Sequence, residues 1–212
     1  MDTASTMPVK KSLMGDRVRN FLSYLRSLFF TNLLIYLYTA VCGTFSLFGS
    51  LFDSRGRWQH GCARVWSWLI LKTSGIHVRV EGLEHLDLYQ TTIFCANHQS
   101  AMDIPILFVS LPVQFRFVAK RSLFHVPFLG WHLRRSGHIA VDRMRRTEAV
   151  KSLEEAAKRI RDGSSVVMFP EGRRSSDGRL QEAELGLALV AAKARVPVVP
   201  MALIGSDRVL PR

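Results

Sequence analysis

The sequence predicts an α/β domain: a largely parallel or mixed sheet flanked by helices, preceded by a membrane-associated helical segment. Three observations lead there. Short β-rich runs alternate with helical stretches after residue 75, a long uncharged segment precedes them, and 212 residues suit one core with an appendage. The formal charge of +12 and pI of about 10.4 accompany 48% hydrophobic residues and a mean hydropathy of +0.10. Basic and oily together suits an anionic membrane surface better than nucleic acid, and no zinc-finger or RNA-recognition signature is present. Cys42, Cys62 and Cys95 lack CxxC spacing, so neither a zinc site nor a disulfide framework is expected. No metal or cofactor is called for.

Between Arg26 and Asp53 stands "SLFFTNLLIYLYTAVCGTFSLFGSLF", 26 residues without a charge. At about 1.5 Å per residue this is long enough to span a bilayer as a helix. The preceding tail carries Lys10, Lys11, Arg17, Arg19 and Arg26 and offers no clear signal-peptide cleavage site. Arg55, Arg57 and Arg64 follow on the other side, so the positive-inside rule draws both ends towards the cytoplasm. A hairpin dipping into one leaflet satisfies both. Its second arm is "WQHGCARVWSWLILKTSG", where Trp58, Val65, Trp66, Leu69 and Ile70 share a helical face. A single-pass anchor fits the pattern equally well. Residues 1–75 are therefore expected to form the membrane anchor and 76–212 the α/β domain.

Within that domain "HVRVEG" alternates as a half-buried strand, and "TTIFCA", "FRFVA", "HIAV", "SSVVMF" and "VPVVPMALI" are further strand candidates. The clearest helix is "RTEAVKSLEEAAKRIRDG". Val150, Leu153, Ala157 and Ile160 line one face, acids precede bases on the other, and Gly163 is placed to end it. "QEAELGLALVAAKAR" is apolar nearly all round from Leu185 to Ala192, which predicts a buried helix on the sheet.

In "TIFCANHQSAMDIP", residues 92–105, a strand runs straight into Asn97 and His98, with Asp103 five residues past the histidine. Ser100 and Asp103 read as a capping box opening the next helix, which gives the aspartate a purely structural role. On one continuous helix His98 and Asp103 would point about 140° apart. A strand-to-helix turn between them lets the imidazole fold back onto the carboxylate, which would fix the tautomer and leave Nε2 as a base. The spacing alone does not decide between these roles. There is no GxSxG elbow and no suitably placed cysteine, so such a pair would activate a substrate hydroxyl rather than an enzyme nucleophile.

Downstream, residues 118–143 are dense in cations and glycines, and "FPEGRRSSDG", residues 169–178, carries a strand into a turn with one glutamate and two arginines. An arginine at a strand end beside a glycine turn makes a phosphate clamp, because its planar fork matches two oxygens. A surface salt-bridge cluster is the plainer reading of Glu171, Arg173 and Arg174.

Taken together, these blocks resemble the glycerolipid acyltransferases, in particular the bacterial-type 1-acyl-sn-glycerol-3-phosphate acyltransferases. The NHxxxxD block matches Asn97, His98 and Asp103. Lys120, Leu123, Pro127, Gly130, Gly137 and Arg143 match the second block, and Phe169, Pro170, Glu171, Gly172, Arg174 and Ser175 the FPEGTRS block. Val196, Pro197, Val199 and Pro200 match the apolar fourth. Four ordered blocks over roughly residues 76–205 are far more specific than any one. Two departures stand out: Arg173 replaces the usual threonine, and Glu184 stands where F-K-x-G has lysine. The chain also stops at "RVLPR", where relatives commonly continue with another strand.

The resemblance implies a glycerolipid acyltransferase-like mixed sheet and transfer of an acyl chain from acyl-CoA or acyl carrier protein to the sn-2 hydroxyl of lysophosphatidic acid, giving phosphatidic acid. His98 would be the base and Asp103 its partner, both catalytic. Asn97, Lys120, Arg143, Glu171, Gly172 and Arg174 would bind substrate. Phe124, Phe128, Leu129 and Trp131 suit an acyl-chain tunnel, with ordinary core as the plainer reading. The expected location is the cell (inner) membrane with the catalytic domain facing the cytoplasm. Another lysolipid or glycerol-3-phosphate as acceptor is the alternative within enzymes. A non-catalytic basic lipid-binding protein is the alternative outside them, and charge alone leaves a DNA-binding helix-turn-helix open.

Overall fold

The computed structural model describes residues 27–142 and 146–210. The described residues fall into two compact units that divide between Leu37 and Tyr38. A π-helical turn, Ser27–Thr31, leads into helix α1, Asn32–Gly49, and helix α2, Arg57–Thr73, follows. Residues 29–49 are long and apolar enough to cross a membrane. From Tyr38 onward α1 runs antiparallel to α2. Tyr38 reaches Thr73 at 3.2 Å, the Trp66 indole donates to Thr39 at 3.0 Å, and that of Trp58 donates to the Phe45 carbonyl at 2.9 Å. Indole and hydroxyl groups thus tie together two helices that are otherwise largely apolar.

The α/β part runs β1 (Ile93–Ala96), α3 (Asp103–Ser110), β2 (Phe115–Lys120), α4 (Leu129–Arg135), β3 (Ile139–Val141), α5 (Arg146–Arg161), β4 (Ser165–Met168), α6 (Gly186–Ala194), β5 (Val198–Met201) and the short α7 (Ser206–Val209). The strands form one sheet in the order β3-β2-β4-β1-β5. All four pairings are parallel, with registers such as Ile93 to Val166 and Val118 to Ile139. Strands joined through helices cannot turn back tightly, so the alternation in the sequence resolves into a parallel sheet.

Period-two alternation sorts the side chains into two cores. Ile93, Val166 and Met168 face α5 and α6, which contribute Ala156, Ala157, Ile160, Val190 and Ala194. Phe94, Phe115, Phe117 and Val167 face the other way, against Leu107, Phe108 and Ala63.

Several elements differ from expectation. Residues 77–82, "HVRVEG", join no ladder: Val78 is half-buried and Val80 exposed, and Arg79 pairs with Glu81 on the surface. Alternation there marks a segment lying on the protein, but a strand also needs a neighbour for its amides and carbonyls. The apolar face expected on α2 is split. Ile70 is buried while Trp58 and Val65 point outward, because the contact surface is a stripe of Ala63, Ser67, Ile70 and Leu71. On α5, Leu153, Ala157 and Ile160 pack inward and Val150 is exposed. On α6 only Val190 and Ala194 are buried, and Leu185 precedes the helix at 85% exposure. Small residues pack α6 with one face, so its all-round apolarity does not translate into burial.

Candidate active site

In a parallel sheet the carboxyl ends of the strands, with the turns that follow, form the usual site for chemistry. β1 and β4 are neighbours, and from their carboxyl ends rise the segments 97–103 and 169–175. His98 sits in the turn between β1 and α3, and Asp103 is the first residue of α3. Nδ1 of His98 lies 2.7 Å from Asp103 Oδ2. The aspartate is fully buried, whereas the histidine side chain keeps 18% exposure, enough to meet a substrate.

Asp103 Oδ2 also accepts the backbone amides of Gln99 at 2.8 Å and Ser100 at 2.9 Å. Burial alone would raise this carboxyl. The hydrogen bonds from His98, Ser100 and Gln99 overcome burial and hold it below the usual carboxylate range. Ser206 weighs in the same direction, although neither its Oγ nor Asp103 Oδ1 reaches hydrogen-bond geometry. An ionised Asp103 accepts from Nδ1–H, which leaves Nε2 of His98 as the basic nitrogen. The expected capping contact is present too, since the carboxylate reaches back to the Ser100 amide. The structural and the chemical reading of Asp103 coexist on one oxygen.

Phe169 stacks on His98, with ring centroids 4.0 Å apart and planes 17° apart, and fixes the imidazole plane. The stack continues to Phe117 at 6.1 Å and on to His138 at 5.9 Å. Sequence reasoning assigned Phe169 to a motif without a role; its place at the end of β4, beside the end of β1, is the signal that suits it to this task.

Glu171 is 3% exposed. Its Oε1 accepts the His98 amide and its Oε2 the Gln181 amide, each at 3.0 Å. The Ser175 amide donates to the His98 carbonyl at 2.8 Å, so the turn after β4 is buttoned to the histidine loop at two points. Gly172, at φ +68°, makes the turn, donating its amide to the Phe169 carbonyl at 3.1 Å. Arg174 is half-buried on this turn and Arg173 exposed. Lys120 ends β2 and is exposed. Asn97 spends its amide on the Leu203 backbone, donating at 2.9 Å and accepting at 2.7 Å, so it anchors the segment after β5. Arg143 lies outside the described residues.

Beside the sheet lies an apolar cavity of about 110 Å³, its walls including Cys42, Trp66, Phe108, Phe128, Leu129 and His132. Of the four residues suited to a tunnel, Phe128 and Leu129 line it; Phe124 is buried and Trp131 is 46% exposed.

Residues 77–204 match the family model described as Acyltransferase. The chain is 36% identical over 163 residues to a chloroplastic 1-acyl-sn-glycerol-3-phosphate acyltransferase of Arabidopsis thaliana, covering 76% of this chain and 45% of the plant protein. It is 32% identical over 191 residues to the 1-acyl-sn-glycerol-3-phosphate acyltransferase of Saccharomyces cerevisiae, covering 87% of this chain and 61% of the yeast protein. The chain thus spans about half the length of such relatives. The crystal structure of the 1-acyl-sn-glycerophosphate (LPA) acyltransferase PlsC from Thermotoga maritima superposes with a TM-score of 0.71 at 28% identity, covering 85% of this chain and 77% of that one. Sequence blocks, parallel sheet and family model agree over the same residues, and the chain belongs to the acyltransferase family.

Proposed function

We propose that the protein is an O-acyltransferase that moves an acyl chain from a thioester to the sn-2 hydroxyl of 1-acyl-sn-glycerol-3-phosphate, giving phosphatidic acid. The observation that carries this reading is the 2.7 Å contact between His98 Nδ1 and a buried Asp103, beside an arginine-bearing glycine turn at the carboxyl end of the sheet. The plant, yeast and bacterial relatives bear names for this activity, which supports the choice of acceptor.

A thioester already has a good leaving group, because a thiol of pKa near 8.5 leaves far more readily than an alkoxide. The demanding partner is the alcohol. His98 Nε2 takes the proton of the sn-2 hydroxyl as its oxygen attacks the thioester carbonyl, and Asp103 stabilises the imidazolium. The tetrahedral adduct collapses, the carbon–sulfur bond breaks, and the imidazolium returns the proton to the departing thiolate. No acyl-enzyme forms, and the transfer is direct from carrier to acceptor.

Arg174 holds the acceptor phosphate, assisted by Lys120 across the sheet end. Glu171, both of whose oxygens are committed to backbone amides, acts by fixing the histidine loop, with Gly172 shaping the turn. Asn97 belongs to the same support, and Arg143 is assigned to the acceptor on the motif match alone. The donor is acyl-CoA or acyl carrier protein, both of which present the thioester of an acidic carrier to a basic protein.

The lysolipid is taken laterally from a leaflet. Phe45, Phe48, Leu51, Phe52 and Trp58 are exposed on and after α1 and suit a lipid surface. The apolar cavity walled by Phe128 and Leu129 receives acyl chain. A soluble donor places the catalytic face in the cytoplasm, at the inner membrane. The test is steady-state kinetics of Arg174→Gln with lysophosphatidic acid, where the acceptor KM is expected to rise roughly 10-fold to 100-fold, as loss of a charge-assisted contact predicts. An unchanged acceptor KM would remove Arg174 from the phosphate site.

A further inference from the structure

Arg116 is the second residue of β2, and its side chain is buried at the amino end of the sheet, 8% exposed. Its Nη2 donates to the Arg55 carbonyl at 2.7 Å and its Nη1 to the Phe115 carbonyl at 3.2 Å. No described carboxylate forms an ion pair with it. Two carbonyls accept from its Nη groups, but among the described residues no contacting counterion meets the charge, an expensive arrangement for a buried cation.

A second guanidinium closes on the same spot. Arg159 Nη1 donates to the Gly137 carbonyl at 2.8 Å, and a Cβ at Gly137 would lie 3.4 Å from both Arg116 Nε and Arg159 Nη1. Burial first, and then the Arg159 charge, weigh against the Arg116 cation, and the more distant Asp53 offsets them only in part. On the other side a Cβ at Gly56 would lie 2.8 Å from Arg116 Nη2. Gly56 and Gly137 both have positive φ, +69° and +76°, so glycines frame the cation where a side chain would obstruct it.

These groups line a cleft of about 580 Å³ whose charged walls are Arg55, Arg116, Arg135, Arg159 and Asp162. Four arginines and one carboxylate line it, together with Ser136 and other hydroxyls, and Arg159 also pairs through Nε with Glu155 at 2.7 Å, which leaves Arg116 as the buried arginine with no carboxylate against it among the described residues. The cleft lies at the amino ends of the strands, whereas His98 and Asp103 lie at the carboxyl ends. Strands of four to six residues at about 3.3 Å each separate the two by roughly 13–20 Å.

We propose that this cleft is a second anion site, separate from the catalytic face, that takes a phosphate group through Arg116, Arg159 and Arg135. Guanidinium forks match phosphate oxygens in pairs, and a bound phosphate supplies the contacting counterion that no described residue gives Arg116. The phosphate is either free or carried on a lipid head group. The cleft is rimmed by Ser54, Arg55 and Gly56, and the exposed Leu51 and Phe52 precede them with Asp53 between, its carboxylate turned to the Arg55 and Trp58 amides, so a head group at a lipid surface is within reach. The site does not depend on the acyl-transfer reading.

The test uses the full chain in dodecyl maltoside micelles, with Arg174→Gln as background so that any phosphate bound at the catalytic face is removed from the signal. Scanning calorimetry with inorganic phosphate, against chloride at equal ionic strength, gives Kd from the ligand-dependent rise in Tm. Phosphate should still raise Tm in this background, and adding Arg135→Gln or Arg159→Gln should each raise Kd about ten-fold. Arg135 is exposed, so its replacement leaves the fold out of the question. Dihexanoyl phosphatidylglycerol is the second probe. Tighter binding than phosphate, lost with Arg135→Gln, identifies a lipid head group as the source, and equal or weaker binding identifies free phosphate. Absence of any Tm rise with both probes, or a Kd changed less than about three-fold by both arginine replacements, overturns the proposal.

Discussion

A single oxygen, Asp103 Oδ2, receives the His98 imidazole and the amides of Gln99 and Ser100. Three donors on one carboxylate oxygen hold the charge in place and make the ring's tautomer a consequence of the turn itself. Asp103→Asn keeps the size and loses the charge. It is expected to lower kcat for transfer by roughly 10²–10⁴-fold, measured with saturating donor and acceptor. A depressed carboxyl stabilises the fold above the ordinary aspartate range, and that stability is lost as pH falls through the lower, folded pKa. Thermal midpoints of Asp103→Asn should therefore fall less steeply than those of the wild type below about pH 4. The pairing was legible in the sequence because its partners lie five residues apart, and local geometry settles such a contact. The contacts of Glu171 were not, since 73 residues separate it from the amide it accepts and no local pattern announces a partner brought in by a parallel crossover.

At the scale of elements, the segment between β2 and β3 is under the tightest constraint. Phe128, just before α4, has φ +60°, a conformation costly for an aromatic residue. Two residues on, a Cβ at Gly130 would be driven into the Phe124 carbonyl, which also accepts from the Arg134 guanidinium. Gly130→Ala should destabilise the protein by about 1–3 kcal/mol, read as a lowered Tm, unless this segment shifts as a body. Strands β1, β2, β3 and β4 announced themselves through apolar runs, because burial on both faces leaves that mark. β5 is shorter than its run suggested. Pro200 lacks an amide to donate, and it is accommodated because β5 pairs only with β1, at the sheet edge. Residues 77–82 carry the opposite lesson: alternation reports a half-buried surface and says nothing of whether a neighbouring strand exists.

Across the whole molecule, the sheet separates two kinds of polar chemistry. The carboxyl ends carry an ionised aspartate and its histidine, while buried histidines and the buried Arg116 lie towards the amino ends. Burial first, and then the Arg116 charge, push His132 down to about 4, and its ring nitrogens sit 2.6 Å from the Ser46 hydroxyl and 3.2 Å from that of Ser136. His138, fully enclosed, is pushed well below the ordinary histidine range by burial and by its cationic neighbours. A base depressed in the fold binds protons more readily once unfolded. Its contribution is therefore complete above about pH 6.5 and is lost as pH falls towards 4. For His132 this amounts to roughly 1–2 kcal/mol at pH 4.5 after allowance for partial exposure. Tm should drop between about pH 6.5 and 4.5, and His132→Gln should flatten that drop while still offering a partner to Ser46. None of this was legible beforehand, because the groups that set these two histidines apart, Ser46 and Arg116, lie far from them in the chain and meet them only when α1, α4 and β2 pack together.

The most direct test of the account follows free thiol and phosphatidic acid together when purified protein is given lysophosphatidic acid and an acyl thioester, with His98→Ala alongside the wild type. The account predicts equal amounts of thiol and phosphatidic acid from the wild type, and a loss of roughly 10²–10⁴-fold in both for the variant with its Tm retained. Thiol released without lipid product, or a folded His98→Ala protein that transfers at the wild-type rate, would contradict it.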